Sequence, residues 1–332
     1  MNNTLRLLLL FLLLAGGTFW YTQKHNNKTT VAKTDRDFAI PNIASVHKIF
    51  IADRNGQTAT LDKKTDYWQY NGKWKANPNA IQNLLNTIQK VQLKYIPPNA
   101  AVEHIVKDIA TNNIKIELYD QAGKNLKTYY VGGVTNDELG TYMIMEGSNN
   151  PYVTYIPGLE GSLRIRYLLK EKQWRDKTIF EEQLEDIQSV SIEYPKQKSN
   201  SFKLVRTEND FELTPLFETT ANRGKPKKGQ VEKFLRGFDW LVAEAFENEH
   251  PRRDSIQKQL PFCILNLERT NGQQTSLRLH PIIKKDDLGL PMQREDGKLL
   301  IERYYANVNN EELMLIQELV FGKVFWGYGH FF

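Results

Sequence analysis

The side chains able to do chemistry are scattered through this chain and are not gathered into spaced sets. Six histidines (His25, His47, His104, His250, His280, His330) stand singly, with no pair four residues apart and no HExxH to hold a zinc ion. The one cysteine, Cys263, lies in the apolar run Pro261-Phe262-Cys263-Ile264-Leu265, where a thiol packs as a small hydrophobe. A single cysteine also excludes an internal disulfide and a cysteine-based metal cluster. The acidic pairs Glu181-Glu182, Asp286-Asp287 and Glu311-Glu312 are sequence neighbours, so their carboxylates point apart on a strand or helix; they read as solvated charge and not as an acid–base couple. Gly132-Gly133 follows a strand pattern but opens no helix, so it reads as a turn and not as a phosphate cradle. There is no Walker loop and no GxSxG elbow. No catalytic, cofactor-binding or metal-binding residue is singled out, and the chain reads as a non-enzyme.

Binding is the chemistry left. Tyr67, Trp68, Tyr70 and Trp74 fall on one expected hairpin, where alternate residues share a face and could stack against sugar rings or a protein partner; packing against a helix is the competing expectation. Phe325, Trp326, Tyr328, Phe331 and Phe332 crowd the last residues, either tucked under the domain or offered as a docking patch. The basic loop Arg223–Lys228 could meet anionic headgroups or an acidic partner, or could be a solvated entry to a helix.

The elements that must position these groups follow from periodicity. Val46–Ile51 alternates apolar and polar residues as a half-buried strand does, and Asn55-Gly56 and Asn71-Gly72 mark hairpin turns. Asn77 caps and Pro78 opens a helix whose Ile81, Leu84, Leu85, Ile88 and Val91 form one stripe. A shorter helix carries Val102, Ile105, Val106 and Ile109. Hairpins are expected at Ile114–Val131 and at Thr141–Ile156. Later, Val231, Phe234, Leu235, Phe238 and Leu241 repeat the helical stripe position for position. Strands at Val190–Tyr194, Phe202–Arg206, Asp210–Leu213, Phe262–Arg269, Thr275–Leu279 and Leu300–Val308 repeat the order of the first half, with a helix over Glu311–Leu319. The same order twice points to an internal duplication of an α+β unit built from an antiparallel sheet and helices. The boundaries read as an anchor or signal segment over 1–23, a flexible stem over 24–38, a first unit over 39–163, a pivot over 164–182 and a second unit over 183–332.

The uncharged run Leu7–Tyr21 would extend about 22 Å as a helix, which flanking residues and a snorkelling Arg6 bring towards the roughly 30 Å of a hydrocarbon core. Phe19-Trp20-Tyr21 fits an interfacial belt. A retained anchor is the preferred reading, with a signal peptide cut near Ala15-Gly16-Gly17 as its rival. The expected location is the inner membrane, single-pass, with the bulk extracytoplasmic. At 332 residues, 40% hydrophobic, 25% charged and 11% aromatic, the chain has the composition of two folded domains. A net charge of +5 is too small for a dedicated nucleic-acid surface.

Trp174-Arg175-Asp176-Lys177-Thr178-Ile179, the run Gln259–Leu267, and Gly132-Gly133 followed by Tyr142 and Val153-Thr154-Tyr155-Ile156 resemble the bacterial family called domain of unknown function 4340. The resemblance covers most of the chain after residue 40. It implies an N-terminal anchor, repeated α+β units and an accessory role beside ABC-type transporter or gliding-type membrane components, and it supplies no catalytic residue. Trp174, Arg175 and Asp176 are then expected at a domain junction, Arg175 and Asp176 either locking the halves or contacting a partner as an ion pair. The leading expectation is a non-catalytic, membrane-anchored envelope protein that scaffolds a membrane-protein partner; a glycan or cell-wall binding module is the alternative, and an enzyme of unrecognised type the third reading.

Overall fold

The computed structural model describes residues 33–332 apart from 168 and 209. The Leu7–Tyr21 run and the stem up to residue 32 lie outside the described residues. Among those described, no helix is long and apolar enough to cross a membrane. The chain divides into two compact units, one ending at Asp176 and the other running Lys177–Phe332.

The first unit contains strands β1 (Lys48–Asp53), β2 (Thr58–Lys63), β3 (Trp68–Tyr70) and β4 (Trp74–Lys75), then helix α1 (Pro78–Lys90), β5 (Gln92–Tyr95) and helix α2 (Asn99–Asn112). Strands β6 (Ile114–Tyr119), β7 (Asn125–Val134), β8 (Thr141–Met145) and β9 (Tyr152–Tyr155) follow, and a short helix α3 (Glu171–Trp174) comes near its end. The nine strands form one sheet in the order β4-β3-β2-β1-β6-β7-β8-β9-β5. Asn71 and Gly72 take φ of 47° and 66°, the left-handed pair a tight hairpin needs between β3 and β4. Asn77 accepts a hydrogen bond from the Asn79 amide at 3.0 Å, capping α1, and Pro78 follows at the first helical position. Ala80, Ile81, Leu84 and Ile88 of α1 are buried in one core with Ile49, Leu61, Ile116, Leu118, Tyr129 and Val131 of the sheet. Each such side chain contributes on the order of 1.5–3 kcal/mol of burial. Helix α2 makes a separate small cluster through Ile105, Ile109 and Ile144, with Tyr130 and Tyr142 packed against it.

The second unit contains β10 (Thr178–Phe180), β11 (Ile187–Glu193), β12 (Phe202–Arg206), β13 (Phe211–Pro215), helix α4 (Gln230–Leu235), β14 (Leu241–Val242), β15 (Ala245–Phe246) and helix α5 (Arg253–Gln257). It continues with β16 (Cys263–Arg269), β17 (Gln274–Ile283), β18 (Ile301–Val308), β19 (Glu312–Gln317) and helix α6 (Glu318–Phe321). Its sheet runs β13-β12-β11-β16-β17-β18-β19-β15, while β10 pairs with β14 apart from it. Read strand by strand, this order matches β3-β2-β1-β6-β7-β8-β9-β5 of the first unit at all eight positions. Helices α1 and α4, and α2 and α5, fall at corresponding points of the two orders.

Four local expectations are corrected. Glu311–Leu319 is not a helix: Glu312–Gln317 is strand β19, paired with β18 through the turn residues Asn309 and Asn310, which take φ of 52° and 60°. Its good helix formers are overridden by the strand pairing, which buries Leu313, Met314 and Ile316. The stripe Val231–Leu241 is buried throughout, but α4 ends at Leu235 and Leu241 belongs to β14. Gly237 interrupts that helix, and a Cβ there would come within 2.7 Å of Val324 Cγ1. Gly132-Gly133 is not a turn but part of β7, where a Cβ on Gly132 would stand 2.6 Å from Ile109 Cγ1, so the glycine lets α2 approach the sheet. The stem ends before residue 38: Phe38 is buried edge-on against Tyr129 and Tyr152, each ring 6.0 Å away, and Asp37 pairs with Lys127 at 3.1 Å.

Candidate functional site

The hairpin aromatics divide between surface and core. Tyr67 is exposed, Trp68 and Trp74 are half-buried, and Tyr70 is only 4% exposed. The Tyr70 ring lies near parallel to Trp74 and to Trp174, with centroids 5.9 Å and 6.5 Å away. The Arg175 guanidinium and the Lys73 ammonium lie 4.7 Å and 4.8 Å from the Trp74 ring. Tyr70 therefore packs among these rings, as the packing expectation has it, while Tyr67 stays exposed and Trp68 and Trp74 half-exposed.

Trp174, Arg175 and Asp176 build the wall beside those rings. The Asn77 amide donates to the Trp174 carbonyl at 2.7 Å, and the Asp176 amide donates to the Lys75 carbonyl at 2.8 Å, so the segment extends the pairing of β4 and holds the start of α1. Arg175 pairs with Glu171 at 3.4 Å and Asp176 with Lys75 at 3.5 Å, both inside the first unit. These contacts of Arg175 and Asp176 tie the segment to β4, α1 and α3 of the first unit.

Beneath the hairpin turn lies a pocket of about 460 Å³ lined by Asp53, Gln57, Thr58, Tyr70, Asn71, Tyr167, Lys170, Glu171 and Trp174, with Ile51, Ala59 and Leu169. Asp53 accepts hydrogen bonds from the Asn55 and Gln57 amides, both at 2.9 Å, and so sets the β1–β2 turn at the pocket's lip. Asn71 accepts from the Thr60 amide at 2.8 Å. The Lys170 amide donates to Gln173 Oε1 at 2.9 Å, which fixes the first turn of α3 and places Glu171 at the opening. Burial, and then the charge of Glu171, holds the Tyr70 hydroxyl above its ordinary range, so it is a neutral donor. Tyr167, which lines the pocket, meets the buried Tyr129 hydroxyl at 3.2 Å, and burial pushes both phenols up.

The C-terminal aromatics are core, not a docking patch. Phe331 and Tyr328 are buried; Phe325, Trp326 and Phe332 are half-buried against the same core. Phe331 packs against Phe202, Phe234 and Trp326 at 4.9, 5.4 and 5.2 Å. The tail also ties down the basic loop, whose Lys227 amide donates to the Phe331 carbonyl at 2.8 Å and whose Arg223 amide donates to the Tyr328 hydroxyl at 3.0 Å. The acidic pair Glu181-Glu182 is not solvated as a unit: Glu182 is buried and receives the Arg269 guanidinium through Nε at 2.9 Å and through a second nitrogen.

One feature escaped the sequence reading. Between β17 and β18 the chain makes an arm with two isolated β-bridges, Lys285 to Pro291 and Gln293 to Leu299, held by hydrogen bonds from Lys284 to Leu300, Met292 to Lys284 and Leu300 to Met292 at 2.8–2.9 Å. Asp286 caps its first turn by accepting from the Leu288 and Leu290 amides. Only Met292 and Leu300 of the arm are even half-buried; Leu288 is 85% exposed, Leu290 and Leu299 are also exposed, and Leu319 on α6 is 91% exposed. A groove of about 520 Å³ at its base is lined by Leu300, Ile301, Leu319 and charged residues including Arg303 and Glu302. The turn clusters Asp286–Gly289 and Glu295–Gly297 were the available signal.

Other reactive groups do not converge. Cys263 is buried, and burial pushes its thiol up. His280 is buried with no protein partner on either ring nitrogen, and burial followed by Arg278 keeps it neutral. Among the described residues, no group of three or more His, Cys, Asp or Glu side chains could hold a metal ion.

No curated protein and no solved structure matches this chain. The family described as Domain of unknown function (DUF4340) matches residues 68–259, more than half of the chain, from the aromatic hairpin through the pivot to α5. The match takes in Tyr70, Asn71 and the α3 segment of the pocket, and it stops before the arm and the tail. This chain belongs to the DUF4340 family.

Proposed function

We propose that the chain is a non-catalytic, membrane-anchored envelope protein that acts as a scaffold or accessory subunit of a membrane complex, an ABC-type transporter being the first candidate. Its N-terminal run serves as a single transmembrane helix, the bulk is extracytoplasmic, and the two units descend from one duplicated α+β ancestor. The observation that carries this reading is the arm between β17 and β18, on which Leu288, Leu290 and Leu299 are exposed, with a groove at its base lined by Leu300 and the exposed Leu319. Exposed apolar side chains grouped in this way mark protein-contact surfaces. The matched strand orders support the duplication, and the uncharged Leu7–Tyr21 run supports the anchor.

The test is photo-crosslinking in native membranes from probes placed at Leu288 and Leu319. A discrete adduct with one membrane protein, absent when the probe sits at the exposed Lys64, is the expected result. Uncrosslinked protein at both positions, or the same ladder from every position, would remove the basis for the proposal.

A further inference from the structure

The pocket at the β3–β4 turn differs from the arm in kind, because its lining mixes polar and apolar groups about equally and its shape is concave. Its volume, about 460 Å³, lies within the roughly 300–1,000 Å³ typical of small-ligand sites. Three features of the lining narrow the chemistry of the occupant. First, Tyr70, Tyr167 and Trp174 are almost wholly buried, and Tyr70 lies near parallel to Trp74 and Trp174, so these rings leave little surface for stacking or for a cation. Second, Asp53 and Glu171 are acceptors, and a bound anion would face both carboxylates. Third, Lys170 offers only donors, and Asn71, Gln57, Thr58 and the Tyr70 hydroxyl can each donate and accept. A cation would satisfy the carboxylates and leave Lys170 opposed to it.

A neutral ligand with several hydroxyls can both donate to the carboxylates and accept from the lysine and amides. We propose that this pocket binds a sugar ring of a glycan, gripped through its hydroxyls by Glu171, Asn71, Thr58, Lys170 and the Tyr70 hydroxyl. The turn hydrogen bonds of Asp53 and Asn71 hold two of the pocket's lips before any ligand arrives, so little ordering accompanies binding. The side chain of Glu171 is 54% exposed, which leaves it free to turn towards a ligand or remain with Arg175. This inference is independent of the arm: a chain that docks on a membrane protein could lack the sugar site, and the reverse also holds.

The test uses the full chain in detergent micelles and saturation-transfer NMR, with N-acetylglucosamine, chitobiose and methyl glucoside as neutral probes, spermidine as the cation and inorganic phosphate as the anion. At least one sugar should receive saturation from the protein while spermidine and phosphate do not. Glu171→Ala and Thr58→Val, both at exposed backbone positions, should each weaken sugar binding about tenfold or more with unchanged circular dichroism, and Lys64→Ala outside the pocket should leave it unaltered. Absence of transfer to every sugar from folded protein, sugar binding indifferent to both pocket variants, or binding of spermidine or phosphate in place of sugar would each overturn the proposal.

Discussion

Replacing Phe331 by Ala tests whether the aromatic tail is part of the second unit's core. The ring is fully buried, edge-on to Phe202 and Phe234 and tilted against Trp326. Its removal gives up about 150 Å² of apolar area, which at ~25 cal/mol per Å² is ~4 kcal/mol. That agrees with the roughly 3–5 kcal/mol seen when buried phenylalanines are cut to alanine. With a urea slope of about 2 kcal/mol per M, the unfolding midpoint should fall by ~2 M. Because the chain has two units, the readout should be local: hydrogen exchange in urea, followed by mass spectrometry, on peptides from β11–β19 against peptides from β1–β9. Protection should be lost early in the second set and retained in the first. Lys323→Ala, exposed in the same tail, should change stability by less than about 0.5 kcal/mol. A Phe331→Ala variant within 1 kcal/mol of the parent would refute the packing argument, since no fully buried ring can be removed so cheaply without the site being something other than core.

Other consequences are open to direct measurement. Glu182→Ala leaves the partly buried Arg269 guanidinium without its carboxylate and should destabilise the second unit by about 1–3 kcal/mol in urea titrations. Gly140→Ala would set a Cβ 2.4 Å from Val153 Cγ1 in the first unit and should cost about 1–3 kcal/mol by the same assay. His280 has a folded-state pKa below its ordinary value of about 6.5, so the unfolded chain takes up the proton first and stability falls as the pH drops below that value. His280→Leu should flatten that acid loss, and a variant as acid-sensitive as the parent would show that another group is responsible. Cys263 is buried with its thiol pushed up, so the native chain should not react with a membrane-impermeant maleimide; Leu288→Cys should react in intact cells if the bulk is extracytoplasmic, and only after lysis if it is not.

Features settled between neighbouring residues were legible in the chain itself. Asn71-Gly72 specified a left-handed turn, Asn77-Pro78 a capped helix start, and alternation the strands of both halves, because each is settled within a few bonds of the residues concerned. The two helical stripes also disclosed the repeated order, since burial of one face needs the same spacing wherever it occurs. The tertiary structure alone decided the rest. Glu312–Gln317 became a strand because β18 lay beside it, against its own helix-forming composition. Glu182 left solvent because Arg269, 87 residues away, arrives to pair with it. Tyr70 packs against Trp74 and against Trp174, a partner over a hundred residues distant, and the pocket beneath it exists only because the α3 segment folds back against the first hairpin. Burial, pairing and concavity belong to contacts between distant segments, and a site made from Asp53, Tyr70 and Glu171 has no spacing that a linear reading could find.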